Sequence, residues 1–264
     1  MTTRRILYYL KIWWLMSKNS FLMFLVQKEA FAIFLFGKIL RFGFFISFLY
    51  FLLSGSKTLA GYNTEQTIFF FLTFNLVDTI SQFLYREVYR FRPLIVSGNF
   101  DLVLTKPVNA LFRSLAGGAD VIDLLMIPPL IAAICFLGIK ISPNFLLIVS
   151  FVALVLNGLL IATAFHIAVL SLGIITLEVD HTVMIYRDLL NLGRFPIDIY
   201  REPLRGILTY LVPIAIMITL PAKALIGLAS LKGILVAFLI GSISFFVSVR
   251  LWNFALKKYT SASS

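Results

Sequence analysis

The sequence has little charge, a single cysteine and only two histidines, and each shortage excludes a kind of protein. Charged residues make up 13% of the 264 residues, against roughly 25% in soluble domains. The lone Cys135 excludes an intramolecular disulfide, and no cluster of cysteine and histidine has the spacing of metal ligands. Because 60% of the residues are hydrophobic, a soluble fold of this length would leave apolar surface in water. We therefore expect lipid around most of the chain.

Sequence motifs of common enzymes are missing as well. No Gly-x-x-x-x-Gly-Lys-Ser/Thr P-loop occurs, and the GSKT stretch at 55–58 lacks the glycine–lysine adjacency. Neither Gly-x-Ser-x-Gly nor His-Glu-x-x-His is present. Asp120 and Asp123 have the spacing of half of the metal-binding pair of membrane prenyl- or phosphatidyl-transferases, which leaves a lipid-modifying enzyme as a lesser alternative. We expect no catalytic residue, no metal and no cofactor in this chain.

Five apolar segments are each about as long as a membrane-spanning helix, which needs roughly twenty residues to cross the hydrocarbon core. They are residues 32–54, 66–85, 118–138, a segment beginning at 144, and 233–254. Residues 4–28 interleave aromatic side chains with lysines, which predicts an amphipathic helix in the membrane interface, with a short first span as the alternative. No small-residue cleavage site follows this segment, so we expect it to be retained.

The segment between the fourth and the last span has two interpretations. Plain hydropathy extends span four to about Thr176 and makes residues 206–227 the fifth span. The rival interpretation ends span four near His166, runs span five through 174–195, and makes 197–227 a re-entrant helical pair on the outer face. Either way the predicted fold class is all-α integral membrane, with six transmembrane helices in one domain.

The formal net charge of +11 comes from basic residues at the ends of hydrophobic runs and not from one patch. This pattern indicates loops beside anionic membrane lipid, so nucleic acid is not an expected partner. Lysine and arginine are concentrated in the N-terminal segment, in the loop at 86–113 and at the C-terminal end. Because positive residues favour the cytoplasmic side, both termini are predicted to lie inside.

The loop at 86–113 is too apolar for a solvated linker. Its apolar residues recur at helical intervals, with a break at Gly98 and a stop at Pro107. Exposed apolar clusters of this kind usually dock another molecule. The loop is therefore a candidate binding surface.

Several stretches of the chain resemble the ABC-2 type permeases, in particular a six-span branch of largely uncharacterised exporters. They are GNFD at 98–101, LTKPVN at 104–109, GRFP at 193–196 with the LR, VP and PA pairs at 204, 212 and 221, and the segment 252–263. The resemblance implies a half-transporter in the bacterial cytoplasmic membrane that pairs with a second permease, as a homo- or heterodimer. It also implies a separate cytoplasmic ATPase that binds ATP and Mg.

In that family the loop between spans two and three couples to the ATPase, and the proline-rich stretch before the last span forms the outer re-entrant pair. On this ground we favour the rival topology. The coupling residues that the resemblance implies are Gly98, Phe100, Asp101, Leu104, Lys106, Pro107 and Asn109. A secondary transporter is the main alternative, and it would show paired broken helices in repeated halves, which this sequence lacks.

Polar residues within the predicted spans form a second set of candidates. They are Lys38, Arg41, Asn75, Asp78, Gln82, Asp120 and Asp123. Charge in lipid is costly, so each should face protein or water. We expect helix–helix pairing, Asp78 with Arg41, and Asp120 or Asp123 with Arg113 or Arg90. A polar patch on the translocation path is the alternative, in which the acids would suit cationic amphiphiles.

Overall fold

The structure is a computed structural model and describes residues 3–141 and 143–260. Within these residues the chain forms helices and short turns, with no β-strand. The helices are α1 (Thr3–Val26), α2 (Lys28–Ser56), α3 (Thr64–Tyr85), α4 (Phe91–Val96), α5 (Phe100–Leu104), α6 (Ala110–Leu115), α7 (Val121–Ile141), α8 (Phe145–Thr176), α9 (Val179–Asn191), α10 (Leu204–Leu211), α11 (Ala215–Leu225) and α12 (Leu231–Lys258).

Five of these helices, α2, α3, α7, α8 and α12, are long and apolar enough to cross a membrane. They confirm the five segments predicted from the sequence. Side-chain caps fix where three of them begin. Asn63 and Gln66 form a capping box at α3, and the side chains of Asn144 and Ser230 accept backbone N–H groups at the starts of α8 and α12. Such caps satisfy backbone donors that have no partner inside the helix.

Both ends of the described chain lie beside the short helices α4 to α6. The Tyr8 hydroxyl donates to the carbonyl oxygen of Pro107 at 3.3 Å, and the Tyr259 hydroxyl donates to Asp101 at 2.9 Å. We call this the termini end of the bundle. The loops at 57–63 and 192–203 meet at the opposite end, where Tyr62 donates a hydrogen bond to Asp198, and α12 leads from the loop at 226–230 back to Tyr259.

Helix α9 and the turns after it carry the chain from the termini end to the opposite end. Asp180 pairs with Arg92 of α4 at 3.4 Å. Eighteen positions later, Asp198 accepts a hydrogen bond at 3.0 Å from Tyr62, which lies in the loop between α2 and α3. At 1.5 Å per helical residue this length is enough for a crossing. The α9 segment therefore runs from one end of the bundle towards the other, although it is too short and too polar to stand out by hydropathy.

The bound at His166 in the favoured interpretation is wrong. Helix α8 continues without a break to Thr176 and ends at Leu177, whose φ of 61° is left-handed. No proline interrupts residues 145–176, so nothing in the sequence stops the helix earlier. Plain hydropathy gave the correct end of span four.

Helices α10 and α11 form a bent pair, with 75° between them. Arg205 at the start of α10 and Lys223 near the end of α11 bind the same carboxylate, Asp198, at 2.8 Å and 2.7 Å. The pair therefore begins and ends at the opposite end of the bundle. The bend falls at Pro213, which has no backbone N–H to continue a helix. By length and composition alone the pair fits either one broken span or a re-entrant pair.

Asp198 is held ionised by its neighbours. Burial alone would raise the pKa of this carboxyl. Hydrogen bonds from Lys223 and Tyr62, together with the charges of Lys223 and Arg205, outweigh that effect and keep its pKa below the usual value. The carboxylate is therefore a stable anchor for the bent pair.

The core lies between α3, α8, α11 and α12. At Gly158 a Cβ atom would lie 2.5 Å from the carbonyl oxygen of Met217, so α8 and α11 touch backbone to backbone. The Asn157 side chain donates to the carbonyl oxygen of Ala237 at 3.0 Å and ties α8 to α12. By contrast, α2 is peripheral, and Leu49 and Leu53 are its buried residues among the described side chains.

Candidate functional site

A chamber lined by charged and aromatic side chains lies between α2, α3, α7 and the turn after α9. We call it the charged chamber. Its lining residues are Lys38, Arg41, Phe42, Phe45, Phe71, Phe74, Asn75, Asp78, Thr79, Gln82, Met126, Leu130 and Arg194. The structure thus brings together five of the polar residues proposed from the sequence, from α2 and α3. The remaining two, Asp120 and Asp123, lie at the start of α7.

Asp78 is paired with Arg187 and not with Arg41. Arg187 Nη1 lies 2.6 Å from Asp78 Oδ1, and Gln82 Nε2 donates to Asp78 Oδ2 at 2.9 Å. The predicted pair with Arg41 is wrong, because α9 crosses beside α3 and brings Arg187 to the depth of Asp78. Arg41 is exposed on α2 and makes no ion pair among the residues that the structure describes.

The two acids of α7 also have partners other than those predicted. Asp123 binds Lys38, and Asp120 lies 3.2 Å from Arg86. Arg113, one of the predicted partners, instead binds Glu87 at 3.0 Å. This pairing follows from helix neighbours, since α7 packs mainly against α3 and also touches α2.

Asp120 has a further role at the start of its helix. Its carboxylate accepts hydrogen bonds from the backbone N–H groups of Ile122 at 2.8 Å and Asp123 at 3.3 Å. A carboxylate there also matches the positive end of the helix dipole. Among the described residues no three acids, histidines or cysteines come close enough to hold a metal ion. The Asp120–Asp123 spacing is therefore explained by capping and charge pairing.

Three arginines of this region were not singled out as site residues from the sequence: Arg86, Arg187 and Arg194. The guanidinium of Arg194 lies 5.9 Å from the ring centres of both Phe45 and Phe74, within the range of cation–π attraction. Arg194 belongs to the GRFP stretch that carries part of the resemblance, and this was its only signal. No sequence signal marked Arg187, because its pairing with Asp78 depends on which helix lies beside α3.

The loop between α3 and α7 folds around its own aromatic core. Phe91 and Phe100 are fully buried, with ring centres 5.3 Å apart. Phe100 also packs on Tyr259 at 5.2 Å and Trp252 at 6.4 Å. Gly98, with a φ of 72°, makes the turn between α4 and α5. The assignment of Phe100 to an exposed docking surface is therefore wrong, and its place is inside the loop.

The end of the chain fastens this loop to α12. Tyr259 donates its hydroxyl to Asp101, which the sequence had placed among the coupling residues. Burial, and then the hydrogen bond to Asp101, raise the pKa of Tyr259 to about 12. The phenol therefore remains a donor at neutral pH. Residues 261–263 of the resembling C-terminal segment lie outside the described residues.

Other residues of the loop face outward and form what we call the loop surface. It consists of Val96, Leu102, Leu104, Lys106 and Pro107, all exposed. Asn109 lies at its edge, where its side chain accepts the Phe112 N–H at 3.0 Å and caps α6. The backbone N–H of Asn109 donates to the hydroxyl of Tyr9 at 3.3 Å, so α1 packs along this edge.

A family model described as ABC-2 family transporter protein matches residues 38–263. The chain belongs to the ABC-2 transporter family. The match begins within α2, leaves α1 outside, and includes the loop surface and the charged chamber. Comparisons with curated proteins and with solved structures found no match.

Membership of the ABC-2 family makes this a multi-pass membrane protein of a transport system. The family assignment agrees with the fold class read from the sequence, an all-α membrane protein. Both groups of candidate residues lie within the part of the chain that matches the family.

Proposed function

We propose that this ABC-2 protein is the permease subunit of an ATP-driven exporter and that a separate cytoplasmic ATPase docks on the loop surface. The observation that carries the proposal is a folded loop with apolar side chains turned outward. Leu102 is 59% exposed and Leu104 is 42% exposed, although the loop has an apolar interior available. A fixed apolar patch at the end of a membrane domain favours a protein partner.

The construction of the loop suits the transmission of a movement to the membrane helices. Phe100 and Tyr259 join the loop to the end of α12, and a short 3-10 helix at Arg86–Arg90 continues directly from α3. A push on the loop surface would therefore reach α3 and α12 through packed rings and continuous backbone. Rigid elements of this kind carry coupling between distant sites.

We further propose that the termini end faces the cytoplasm of a bacterial cell, across its cytoplasmic membrane. The basic residues of α1, of the loop at 86–113 and of the last turn of α12 lie at this end. The exception to the charge rule is Arg205 with its neighbours at the opposite end, where Asp198 neutralises part of the charge. In this orientation α10 and α11 form an outer re-entrant pair.

A second permease subunit, identical or related, completes the proposed transporter. The single chain offers one charged chamber at the edge of α2, a helix with very little of its surface buried. We expect substrate to pass between two such chains as the ATPase cycles. ATP and Mg would bind to the ATPase and not to this chain.

Docking is tested with two matched leucine variants, one on the loop surface and one at the opposite end of the bundle. Leu104→Asp places a charge on the loop surface, whereas Leu204→Asp places it on α10 at the opposite end, where Leu204 is 41% exposed. The tagged permease is purified from membranes of its own host, and the co-purified ATPase is identified by its P-loop and quantified. An apolar contact at the centre of an interface is worth about 2 kcal/mol, or roughly thirtyfold in affinity.

Leu104→Asp should therefore remove most of the ATPase while Leu204→Asp retains it, with equal yields of folded permease. Equal retention by both variants, or the absence of any P-loop ATPase from the wild-type preparation, would overturn the docking proposal.

A further inference from the structure

The charged chamber has more positive charge than its carboxylates neutralise. Lys38 is bound to Asp123, and Arg187 to Asp78, so both carboxylates next to the chamber are already paired within the chain. Arg41 and Arg194 line the same chamber and have no ion-pair partner among the described residues. The site therefore offers positive charge to a ligand, and the acids expected to suit a cation are not available to one.

Arg41 lies deep in the membrane domain, and Arg194 lies in the turn after α9 that closes one side of the chamber. Arg41 is near the middle of α2, fourteen positions into a helix of 29 residues, and it is exposed. Arg194 is half-buried, with its guanidinium near Phe45 and Phe74 at 5.9 Å from each ring centre. Both side chains line the same chamber. A charged side chain within a membrane domain is normally paired or faces water. One anion bound between the two arginines would neutralise both charges.

The chamber walls indicate what kind of anion would fit. A guanidinium presents a planar fork of donors that matches the oxygens of phosphate better than a point charge does. The rings of Phe42, Phe45, Phe71 and Phe74 form apolar walls around these donors. The chamber volume is about 30 Å³, and a single water needs roughly 10–15 Å³. This space holds about two waters, so the charged oxygens of a head group could enter it and a whole amphiphile could not.

We propose that Arg41 and Arg194 together bind the phosphate-type head group of an anionic amphiphile. This assignment rests on the proposed exporter function, because it names the substrate class of that transporter. The apolar tail would lie outside the chamber along the exposed apolar face of α2. Binding itself needs only the permease, so it is measured without an ATPase.

The test uses the full-length permease, purified in a neutral detergent, with dodecyl phosphate and dodecyltrimethylammonium as probes of opposite charge and equal tail length. Binding is followed by thermal shift and by equilibrium dialysis of the labelled probes. We expect dodecyl phosphate to bind and to stabilise the protein, and the ammonium probe to bind at least tenfold more weakly. Equal or tighter binding of the ammonium probe would overturn the proposal.

The arginine variants assign the binding to the chamber. Arg194→Gln and Arg41→Gln should each weaken dodecyl phosphate binding about tenfold or more, and Arg194→Lys should weaken it less than Arg194→Gln. Arg250→Gln is the matched control, because Arg250 is an exposed arginine on α12 whose guanidinium lies 5.0 Å from the ring centre of Phe246. Arg41 is exposed, so its variant should fold even where Arg194→Gln does not. Unchanged binding in the Arg41→Gln variant would exclude this site.

Two further probes distinguish the source of the head group. Binding of dioleoyl phosphatidic acid in nanodiscs, lost in Arg41→Gln, would identify a membrane phospholipid as the ligand. Binding of dodecyl phosphate without phosphatidic acid would identify a single-chain amphiphile. Failure of all phosphate probes would refute the head-group assignment alone, since ATPase co-purification tests the exporter function separately.

Discussion

The pair between Asp78 and Arg187 gives the sharpest test of the interior of this protein. Asp78 is 5% exposed and lies seven positions from the end of α3, which is about 10 Å into the membrane domain. Removing one partner of a buried pair costs about 3–5 kcal/mol, because the remaining charge loses its compensation. Gln82 continues to donate to the Asp78 carboxylate, so we place Arg187→Gln at the lower end, about 3 kcal/mol.

The double change Asp78→Asn with Arg187→Gln should recover much of this loss, because it leaves no unpaired charge. The two amides can hydrogen-bond to each other, whereas each single variant leaves one buried charge without its partner. We therefore expect the double variant to be more stable than the sum of the single losses by at least about 2 kcal/mol. The free energy of unfolding is measured by SDS titration in mixed micelles.

Arg41→Gln supplies the matched control for this cycle. It removes an arginine that lines the same chamber but does not touch Asp78, so its coupling to Asp78→Asn should be much smaller than that of Arg187→Gln. A larger coupling with Arg41 than with Arg187 would contradict the helix arrangement described here. Additive losses for Asp78 and Arg187 would show that the pair does not stabilise the fold.

Two more predictions concern packing and orientation. Gly158→Ala should destabilise the protein by about 1–3 kcal/mol, since the new methyl group would meet the Met217 carbonyl oxygen and that backbone atom cannot rotate away. Gly43→Ala on α2, where nothing lies within 4 Å, should be neutral or slightly stabilising, and equal SDS-unfolding curves for both variants would contradict the close approach of α8 and α11. In a Cys135→Ser background, Glu202→Cys should react with impermeant thiol reagents added outside intact cells, and Thr105→Cys only after the cells are opened. The reverse labelling pattern would invert the proposed orientation.

Much of the architecture follows from local sequence. The lengths of the apolar runs determine α2, α3, α7, α8 and α12, because a helix that spans the hydrocarbon core needs about twenty apolar residues. Asn63 and Gln66 are three positions apart, the spacing of a capping box, and this local signal sets the start of α3. The resemblance to ABC-2 permeases also rests on the sequence alone, and the family match confirms it.

The tertiary structure decided the features that depend on which helices meet. Asp78 and Arg187 are 109 positions apart, and no periodicity relates them, so the sequence pointed to the nearer Arg41. Hydropathy likewise does not tell a segment that crosses from one that turns back, and only the shared contact of Arg205 and Lys223 with Asp198 shows the return of α10 and α11. Phe100 and Leu104 are equally apolar in sequence, but packing buries the first and leaves the second exposed. Ion pairs, the return of α10 and α11, and the burial of Phe100 all depend on contacts between segments that are distant in the sequence. Only folding brings those segments together.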